Sequence, residues 1–339
     1  MKSRSNFPSL FGPFLAVTLA AVSIGYGSLA QAQERMKIRL ILPSTPTTFL
    51  LPYLMPKDTG WYAKRGLDVE ETFVNGDSTA LRSVISGSAD LTIIGPPTVL
   101  QAVVEGAKLK YIGSPQPKVD YQILAQKSIT SMPQLADKVF ASAGPSDLTT
   151  ELPRLVMRKQ GISTDNVKFL QVGGHPARLQ ALESGRVQAT MVNTLTSLVG
   201  QRNGTVNVLA KVANEFPKLG YEMIAVNAAD MSNPAKRRAF EIFIKGIVYG
   251  SREIEANPEA AADVLLKRAP DIPRDLIVSA LKELNTIKAW GTNGGIDAEM
   301  VTFTSDALVT WKMLPKKVTP AELIDDTFVK AAIAEMGTK

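Results

Sequence analysis

A short motif that occurs twice in this chain constrains the fold more than any other feature of the sequence. The first copy is ISGSADLTIIGPPT, residues 85–98, and the second is ESGRVQATMVNTLT, residues 183–196. In each copy a Ser-Gly pair precedes a short apolar run, and an upstream glycine, Gly76 or Gly174, lies at the same distance from that pair. Two copies are too few for a solenoid, so the repeat predicts two similar lobes.

The residues around the first copy alternate between strand-like and helix-like patterns. Strands are predicted at residues 36–42, 69–74 and 91–94, and the helices between them end near Gly66 and Gly87. These strands are continuously apolar rather than alternating, which is typical of a mostly parallel sheet covered by helices on both faces. The first lobe is therefore predicted to be of the α/β class.

The same succession of elements begins again after two further predicted strands, at residues 110–112 and 121–125. The second lobe is predicted to contain strands at residues 139–143, 167–172 and 189–192, with a helix at residues 148–159. From Asn233 onward the pattern is helical only, and the Asn-Pro pairs at Asn233 and Asn257 are typical of helix starts. An apolar stripe at helical spacing follows, made of Phe240, Phe243, Ile244 and Ile247.

The first 32 residues have the pattern of a secretory signal peptide. Two basic residues precede an apolar run at residues 14–24, and Ala30-Gln31-Ala32 is a small-x-small cleavage signature. The apolar run is shorter than the roughly 20 residues that a membrane span needs. Because the chain contains no cysteine, lipid attachment at a cysteine and disulfides are excluded. We expect an exported, soluble periplasmic protein without a lipid anchor, whose mature chain begins near Gln33.

Composition excludes several kinds of chemistry. With one histidine and no cysteine, the chain lacks the common multi-histidine zinc motifs and a cysteine nucleophile, and it contains neither a Walker phosphate loop nor a G-x-S-x-G elbow. Basic residues are scattered, whereas nucleic-acid binding needs a concentrated basic face with aromatic platforms. We therefore expect no metal, no cofactor and no nucleic-acid partner. Acid–base chemistry by Asp77, Asp147 or His175 stays open as an alternative.

Predicted turns at the carboxyl ends of the strands are the best candidates for a binding site. Ligands of parallel α/β sheets bind there, at helix N-termini that offer unpaired N–H groups and partial positive charge. Six such turns, three in each lobe, are expected to face one cleft, although each polar residue in them could instead be only a helix cap. The candidate ligand-binding residues are Thr45, Thr47, Asp77, Ser78, Pro96, Pro97, Gln116, Ser146, Asp147, Leu148, His175, Asn193 and Thr194.

His175 lies between Gly-Gly and a proline at one of these turns. It is expected to offer the ligand either a hydrogen-bond donor or, when protonated, a charge, because its unperturbed pKa is near 6.5. A surface or capping role is the alternative. No arginine falls within the turns themselves, which favours a small polar or aromatic acid held by N–H groups and hydroxyls over a sugar phosphate.

Three segments resemble a known family. They are DTGWYAKRGLDVEETFVNGDSTALRSVISGSADLTIIGPPT (residues 58–98), VGGHPARLQALESGRVQATMVNTLT (residues 172–196) and EANPEAAADVLLKRAP (residues 255–270). They are similar to periplasmic substrate-binding proteins of ABC importers, in the subgroup that handles nitrate, sulfonates, taurine and thiamine precursors. One branch of that family includes a self-consuming synthase that depends on a cysteine-rich motif. This chain has no cysteine, so that activity is not expected here.

The resemblance implies a two-lobed type II periplasmic-binding-protein fold and a non-enzymatic function. Lobe one is expected at residues 36–124 plus 222–339, including the C-terminal helices, and lobe two at residues 125–221. Crossover strands near residues 121–126 and 221–226 would join them. The lobes would close by a hinge around a sulfonate-, carboxylate- or nitrate-like ligand. A monomer that delivers this ligand to an ABC permease in the inner membrane is expected. A periplasmic dehydratase or lyase on the same fold is the alternative.

Overall fold

The computed structural model describes residues 35–43, 47–74, 76–144 and 147–339. The predicted signal peptide lies outside the described residues. In the described part, strands form two five-stranded sheets, and helices flank both. Residues from Arg35 to Lys339 belong to one unit.

The first sheet has four strands in one direction and one in the other. Its strands are β1 (Met36–Leu42), β2 (Leu67–Phe73), β3 (Leu91–Ile94), β4 (Leu109–Lys118) and β10 (Gly220–Asn227), in the spatial order β2-β1-β3-β10-β4. Strand β1 pairs in parallel with β2 and β3, whereas β10 is antiparallel to both β3 and β4. The predicted, mostly parallel sheet is therefore confirmed.

The second sheet repeats this plan with different strands. It contains β5 (Gln122–Gln126), β6 (Val139–Ser142), β7 (Lys168–Gln171), β8 (Ala189–Val192) and β9 (Val206–Lys211), in the order β7-β6-β8-β5-β9. Strand β5 is antiparallel to β8 and β9, as β10 is to its neighbours in the first sheet. The chain thus passes between the sheets twice, from β4 to β5 and from β9 to β10.

Thirteen α-helices surround the sheets in the described part of the chain. Their bounds are α1 (Leu51–Asp58), α2 (Asp77–Ile85), α3 (Pro96–Val104), α4 (Leu148–Lys159), α5 (His175–Glu183), α6 (Thr194–Arg202), α7 (Val212–Glu215), α8 (Pro234–Ala256), α9 (Pro258–Leu266), α10 (Arg274–Thr286), α11 (Ala298–Thr310), α12 (Pro320–Leu323) and α13 (Thr327–Met336). The Asn-Pro starts at Asn233 and Asn257 are confirmed, since each asparagine side chain accepts a backbone N–H of the helix that follows.

Helix α8 anchors the core of the first lobe. Its predicted apolar stripe is fully buried, and the helix packs against α1. Gly246 of α8 allows the close approach of Tyr62, because a Cβ at this position would lie 2.1 Å from the Tyr62 ring. The Tyr62 ring in turn stacks on Phe243, with the ring centroids 5.7 Å apart. In the described residues, no helix combines the length and apolar character needed to cross a membrane.

Most predicted elements occur where the sequence pattern puts them. The predicted bounds of β1, β3, β8 and α4 agree with the structure to the residue. Strand β2 begins two residues earlier than residue 69, and β4 extends well beyond residues 110–112. Strand β9 was not predicted, because its short sequence VNVLAK has no continuous apolar run. In the structure this strand is largely half-buried.

Candidate ligand-binding cleft

A cavity of about 520 Å³ lies at the carboxyl ends of strands from both sheets. This volume is within the range of about 300–1,000 Å³ that is usual for small-molecule sites. The segments that line it follow β1, β2 and β3 in the first sheet and β6 and β7 in the second, and β10 adds Tyr221 and Glu222. Because both sheets contribute, a ligand in this cavity would contact the two lobes at once.

Seven of the predicted binding residues line the cavity. They are Thr47, Asp77, Ser78, Pro97, Asp147, Leu148 and His175. Four others do not line it, namely Pro96, Gln116, Asn193 and Thr194. The remaining two, Thr45 and Ser146, lie outside the described residues.

The four residues outside the cavity belong to the framework of strands and helices around it. Pro96 is buried in the first turn of α3, and the side chain of Gln116 is buried within β4. Thr194 donates its hydroxyl to the carbonyl of Asp120 at 3.0 Å. Asn193 caps α6 by accepting the Thr196 N–H at 2.9 Å. These contacts hold strand ends and helix starts in place beside the cavity.

Asn193 also links the two sheets through Thr47, which lines the cavity. Its side-chain amide donates to the hydroxyl of Thr47 at 3.3 Å. Thr47 follows β1 of the first sheet, whereas Asn193 follows β8 of the second. The contact therefore joins turns that belong to different sheets.

Asp77 is the first residue of α2 and lies half-buried at the cavity wall. Gly76 precedes it with a φ of +88°, a backbone conformation that favours glycine. Burial raises the pKa of Asp77 to about 6, and the nearby Asp147 carboxylate adds to this rise, whereas the Gly95 backbone N–H opposes it. Asp77 can therefore exchange a proton near neutral pH.

Asp147 caps the opposite helix, α4. Its carboxylate accepts the backbone N–H of Thr149 at 2.7 Å and the hydroxyl of the same residue at 2.5 Å. The Thr149 hydroxyl also accepts the backbone N–H of Ala143 at 2.8 Å. The capping role that the sequence left open is thus present, and Asp147 lines the cavity as well.

The surroundings of His175 favour the neutral ring, the first of the two states that the sequence analysis left open. Burial lowers its pKa well below the ordinary value, and the Arg178 guanidinium lowers it further. Its Nδ1 atom lies 3.1 Å from the Asn193 backbone N–H and 3.0 Å from Nη2 of Arg178, both of which are donors. Since Nδ1 must accept both hydrogen bonds, the ring proton is on Nε2. No described residue accepts a hydrogen bond from this Nε2–H group.

Arg178 is a cavity-lining residue that the sequence analysis missed. It lies one turn after His175 in α5 and is 2% exposed. Its Nε atom donates to the Met191 carbonyl at 3.1 Å, and Nη1 donates to the Gly173 carbonyl. The spacing of three residues, which puts two helical side chains on one face, could have indicated the pair.

Glu222 is the second residue that the sequence analysis missed. It projects from β10 into the cavity lining and is 7% exposed, and its Oε2 atom has no hydrogen-bond partner among the described residues. Burial raises its pKa well above the ordinary value, and the carboxylates of Asp77 and Asp120 raise it further. In the local sequence Glu222 is a glutamate inside an apolar strand, and this pattern alone did not show whether the residue faces the cavity or the protein surface.

Aromatic rings complete the wall on the side of His175. Tyr121 lies 5.7 Å from His175 and 5.2 Å from Tyr221, measured between ring centroids. Within the described ranges, no cluster of three or more histidine, cysteine or acidic side chains could hold a metal ion. The cavity thus offers carboxyl groups, one neutral imidazole, hydroxyls and ring faces to a ligand.

This chain has two lobes of similar topology and a cavity that both lobes line, which is the fold of periplasmic binding proteins. Solved structures support this fold. The alkanesulfonate-binding protein SsuA from Xanthomonas axonopodis pv. citri, bound to MOPS, has a TM-score of 0.68 at 17% identity, over 86% of this chain and 99% of its own. The periplasmic nitrate-binding protein NrtA from Synechocystis PCC 6803 has a TM-score of 0.70 at 15% identity, over 90% of each chain.

Sequence comparison identifies the family. A family model described as NMT1/THI5 like matches residues 48–261, and the chain belongs to this family. A protein of Bacillus subtilis (strain 168), which carries the provisional name aliphatic sulfonates-binding protein, is 21% identical over 294 residues. That match covers 84% of this chain and 86% of the relative.

Proposed function

We propose that this protein is an extracytoplasmic solute-binding protein of an ABC importer. The observation that carries the proposal is the cavity lined by strand-to-helix turns of both sheets. The names of its relatives, which describe sulfonate- and nitrate-binding proteins, agree with this function. The protein would act in the periplasm after cleavage of its signal peptide. It would bind as a monomer and deliver its ligand to a permease in the inner membrane.

Binding is proposed to close the two lobes around the ligand. Lobe one would comprise residues 36–124 plus 222–339, and lobe two residues 125–221. The two connections between the sheets, from β4 to β5 and from β9 to β10, would act as the hinge. The Asn193–Thr47 hydrogen bond across the cavity edge supports closure as the bound arrangement, since it joins the lobes only while they are near each other.

The ligand is proposed to be a small polar or aromatic molecule with an acid-type group, such as a sulfonate, a carboxylate or a nitrate-like anion. The donors available to that group are the Nε2–H of His175 and the N–H groups at the start of α5. The rings of Tyr121 and Tyr221 would contact an aromatic portion of the ligand.

A thermal-shift screen followed by scattering tests this function. The screen would include nitrate, alkanesulfonates, aromatic carboxylates and pyrimidines, and a ligand at 100 times its Kd should stabilise the protein by about 2.7 kcal/mol. Small-angle scattering with a hit at saturation should then show a smaller radius of gyration. Stabilisation without any change in the scattering profile would contradict hinge closure, and no hit in any class would contradict the binding function.

An enzyme on the same fold, a dehydratase or lyase, is the second candidate. It is favoured by the position of Asp77 in the cavity wall, where burial raises the pKa of this carboxyl group to about 6, because an acid or base in contact with the ligand suits general acid–base catalysis. Incubation of a confirmed ligand with the protein, followed by NMR of the recovered small molecule, distinguishes the two. Full recovery over many protein equivalents supports binding alone, whereas conversion would establish catalysis.

A further inference from the structure

Three buried acceptor atoms lie where the chain passes between the two sheets. Gln116 is in β4, Asp120 follows β4 on the way to β5, and Glu222 is near the start of β10. All three side chains are buried. Gln116 Oε1, Asp120 Oδ1 and Glu222 Oε2 have no hydrogen-bond partner among the described residues. Native structures contain few such atoms, so three of them in the proposed hinge require an explanation.

The three side chains belong to one region of the structure. Gln116 and Glu222 are partners in the register of β4 with β10. The Asp120 and Glu222 carboxyl groups are near enough for the charge of Asp120 to raise the pKa of Glu222. The two connections also lie side by side, because the Val212 backbone N–H donates to the Tyr121 carbonyl at 2.8 Å. The unpaired acceptors therefore occupy both connections of the hinge.

No cation compensates the two carboxyl groups in the part of the chain that the structure describes. The Nζ atom of Lys118, two residues before Asp120, donates instead to the Ile287 carbonyl at 3.1 Å. Oδ2 of Asp120 accepts the Thr194 backbone N–H at 3.3 Å, and this leaves Oδ1 unpaired. A buried carboxylate without a cation is unfavourable, whereas a protonated carboxyl group brings a donor of its own. This arrangement favours protons on Asp120 and Glu222.

The pKa values agree with this geometry. Burial raises the pKa of Asp120 to about 6 and that of Glu222 well above its ordinary value. Glu283 of α10 adds to the rise at Asp120, whereas the Thr194 N–H opposes it. Asp77 of α2 adds to the rise at Glu222, as Asp120 does. The other titratable, charged or unpaired polar groups of this region are Thr92, Tyr111, Gln116, Lys118, Tyr121, Asp147, Arg178 and Tyr221.

Separation of the lobes would bring water to these groups. Tyr121 and Tyr221, the neighbours of Asp120 and Glu222 in sequence, line the cavity, and so does Glu222. We propose that the hinge is a proton-linked switch, in which Asp120 and Glu222 hold protons while the lobes are together and release them when the lobes separate. This inference rests on the proposed hinge closure and adds control of that closure by pH.

The sign and size of the effect follow from linkage. A carboxyl group whose pKa is raised in the closed form stabilises that form at low pH, and this stabilisation is lost as the pH rises through the raised value. With a pKa of about 6 when closed and an ordinary value of about 3.9 when open, Asp120 alone lowers the closed-to-open ratio about tenfold between pH 5 and 7.5. Glu222 acts in the same direction.

The distance between the lobes can be measured without any solute. Because the chain contains no cysteine, two introduced cysteines can be spin-labelled selectively. Ser86→Cys after α2 and Gln180→Cys on α5 put the labels at exposed positions of lobe one and lobe two. Double electron–electron resonance between pH 5 and 7.5 should show that the short-distance population decreases about tenfold relative to the long-distance one. A distance distribution that does not change with pH would overturn the proposal.

Two variants assign the response to the hinge. Asp120→Asn and Glu222→Gln carry a permanent N–H donor, so each should keep more of the short-distance population at pH 7.5 and weaken the pH response. The asparagine oxygen can still accept the Thr194 N–H. The control Glu70→Gln changes an exposed carboxylate on β2 and should keep the full response. A full response in both hinge variants would overturn the proposal.

Asp77→Asn separates the hinge from the cavity wall. Asp77 has a pKa of about 6, and burial and the Asp147 carboxylate of the other lobe raise it. We expect this variant to keep a pH response, and loss of the whole response in it would show that the cavity wall, not the hinge, is the switch. Since no solute is present, failure of this proposal leaves the binding function standing, and a ligand screen without a hit does not decide it.

Discussion

The neutral state of His175 can be tested without any ligand, because it is the one histidine of the chain. An ordinary histidine with a pKa of 6.5 is about three-quarters protonated at pH 6.0. Here burial and the Arg178 guanidinium hold the pKa of His175 well below that value. Long-range ¹H–¹⁵N NMR of the protein without a histidine tag should show one neutral ring with its proton on Nε2 at pH 6.0.

The same shift has a predictable effect on stability. A lowered histidine pKa in the folded state means that the unfolded chain takes up a proton first, so stability is complete above pH 6.5 and is lost as the pH falls. Between pH 7.5 and 5.5 this loss is about 1.4 kcal/mol for a group that stays neutral when folded. Asp77 acts in the opposite direction, since its raised pKa removes stability as the pH rises from about 4 to 6.

Comparison with His175→Gln separates the two effects, because Asp77 is present in both proteins. Urea unfolding at pH 7.5 and 5.5 should give a difference between wild type and variant that shrinks by about 1.4 kcal/mol at the lower pH. The glutamine oxygen can replace Nδ1 as an acceptor for the Asn193 N–H. A titration midpoint near 6.5, a proton on Nδ1, or a difference that does not change with pH would refute the reasoning.

Three further predictions concern packing and the cleft. Gly246→Ala should lower the free energy of unfolding by about 1–3 kcal/mol in urea denaturation, because the added methyl group overlaps the Tyr62 ring; no loss would show that the ring can move away. Arg178→Met should lower it by about 1–3 kcal/mol for each of the two backbone carbonyls that lose their donor, whereas the exposed control Arg202→Met should leave the unfolding midpoint nearly unchanged. Asn193→Ala should lower the free energy of unfolding by about 1 kcal/mol, because helix α6 loses its N-terminal cap. An unchanged unfolding midpoint would contradict this prediction.

The repeated motif predicted the architecture well because it encodes local structure. Gly87 and Gly185 both adopt positive φ where their helices end, and the apolar runs after them are the buried strands β3 and β8. Helix ends and buried strands depend on residues close in sequence. Their bounds could therefore be read from the pattern of the chain.

The site was less predictable because its chemistry depends on residues far apart in sequence. Asp77 raises the pKa of Glu222, which lies 145 positions further along the chain, and it does so only after folding brings the two carboxyl groups together. His175 illustrates the same limit. Its neutral state follows from Asn193 and Arg178, and the Asn193 contact arises only when β8 forms beside α5.

The chain leaves the first sheet, forms the second and then returns to the first. This connectivity also determines the order in which the two sheets can finish folding. All five strands of the second sheet come from one continuous stretch, β5 to β9, whereas the first sheet needs β10 between β3 and β4. A chain that emerges from its N-terminus would hold β1 to β4 without their central partner until the second sheet has been synthesised. The first lobe must then finish last, with its strand edges exposed to chaperones and to other chains in the meantime.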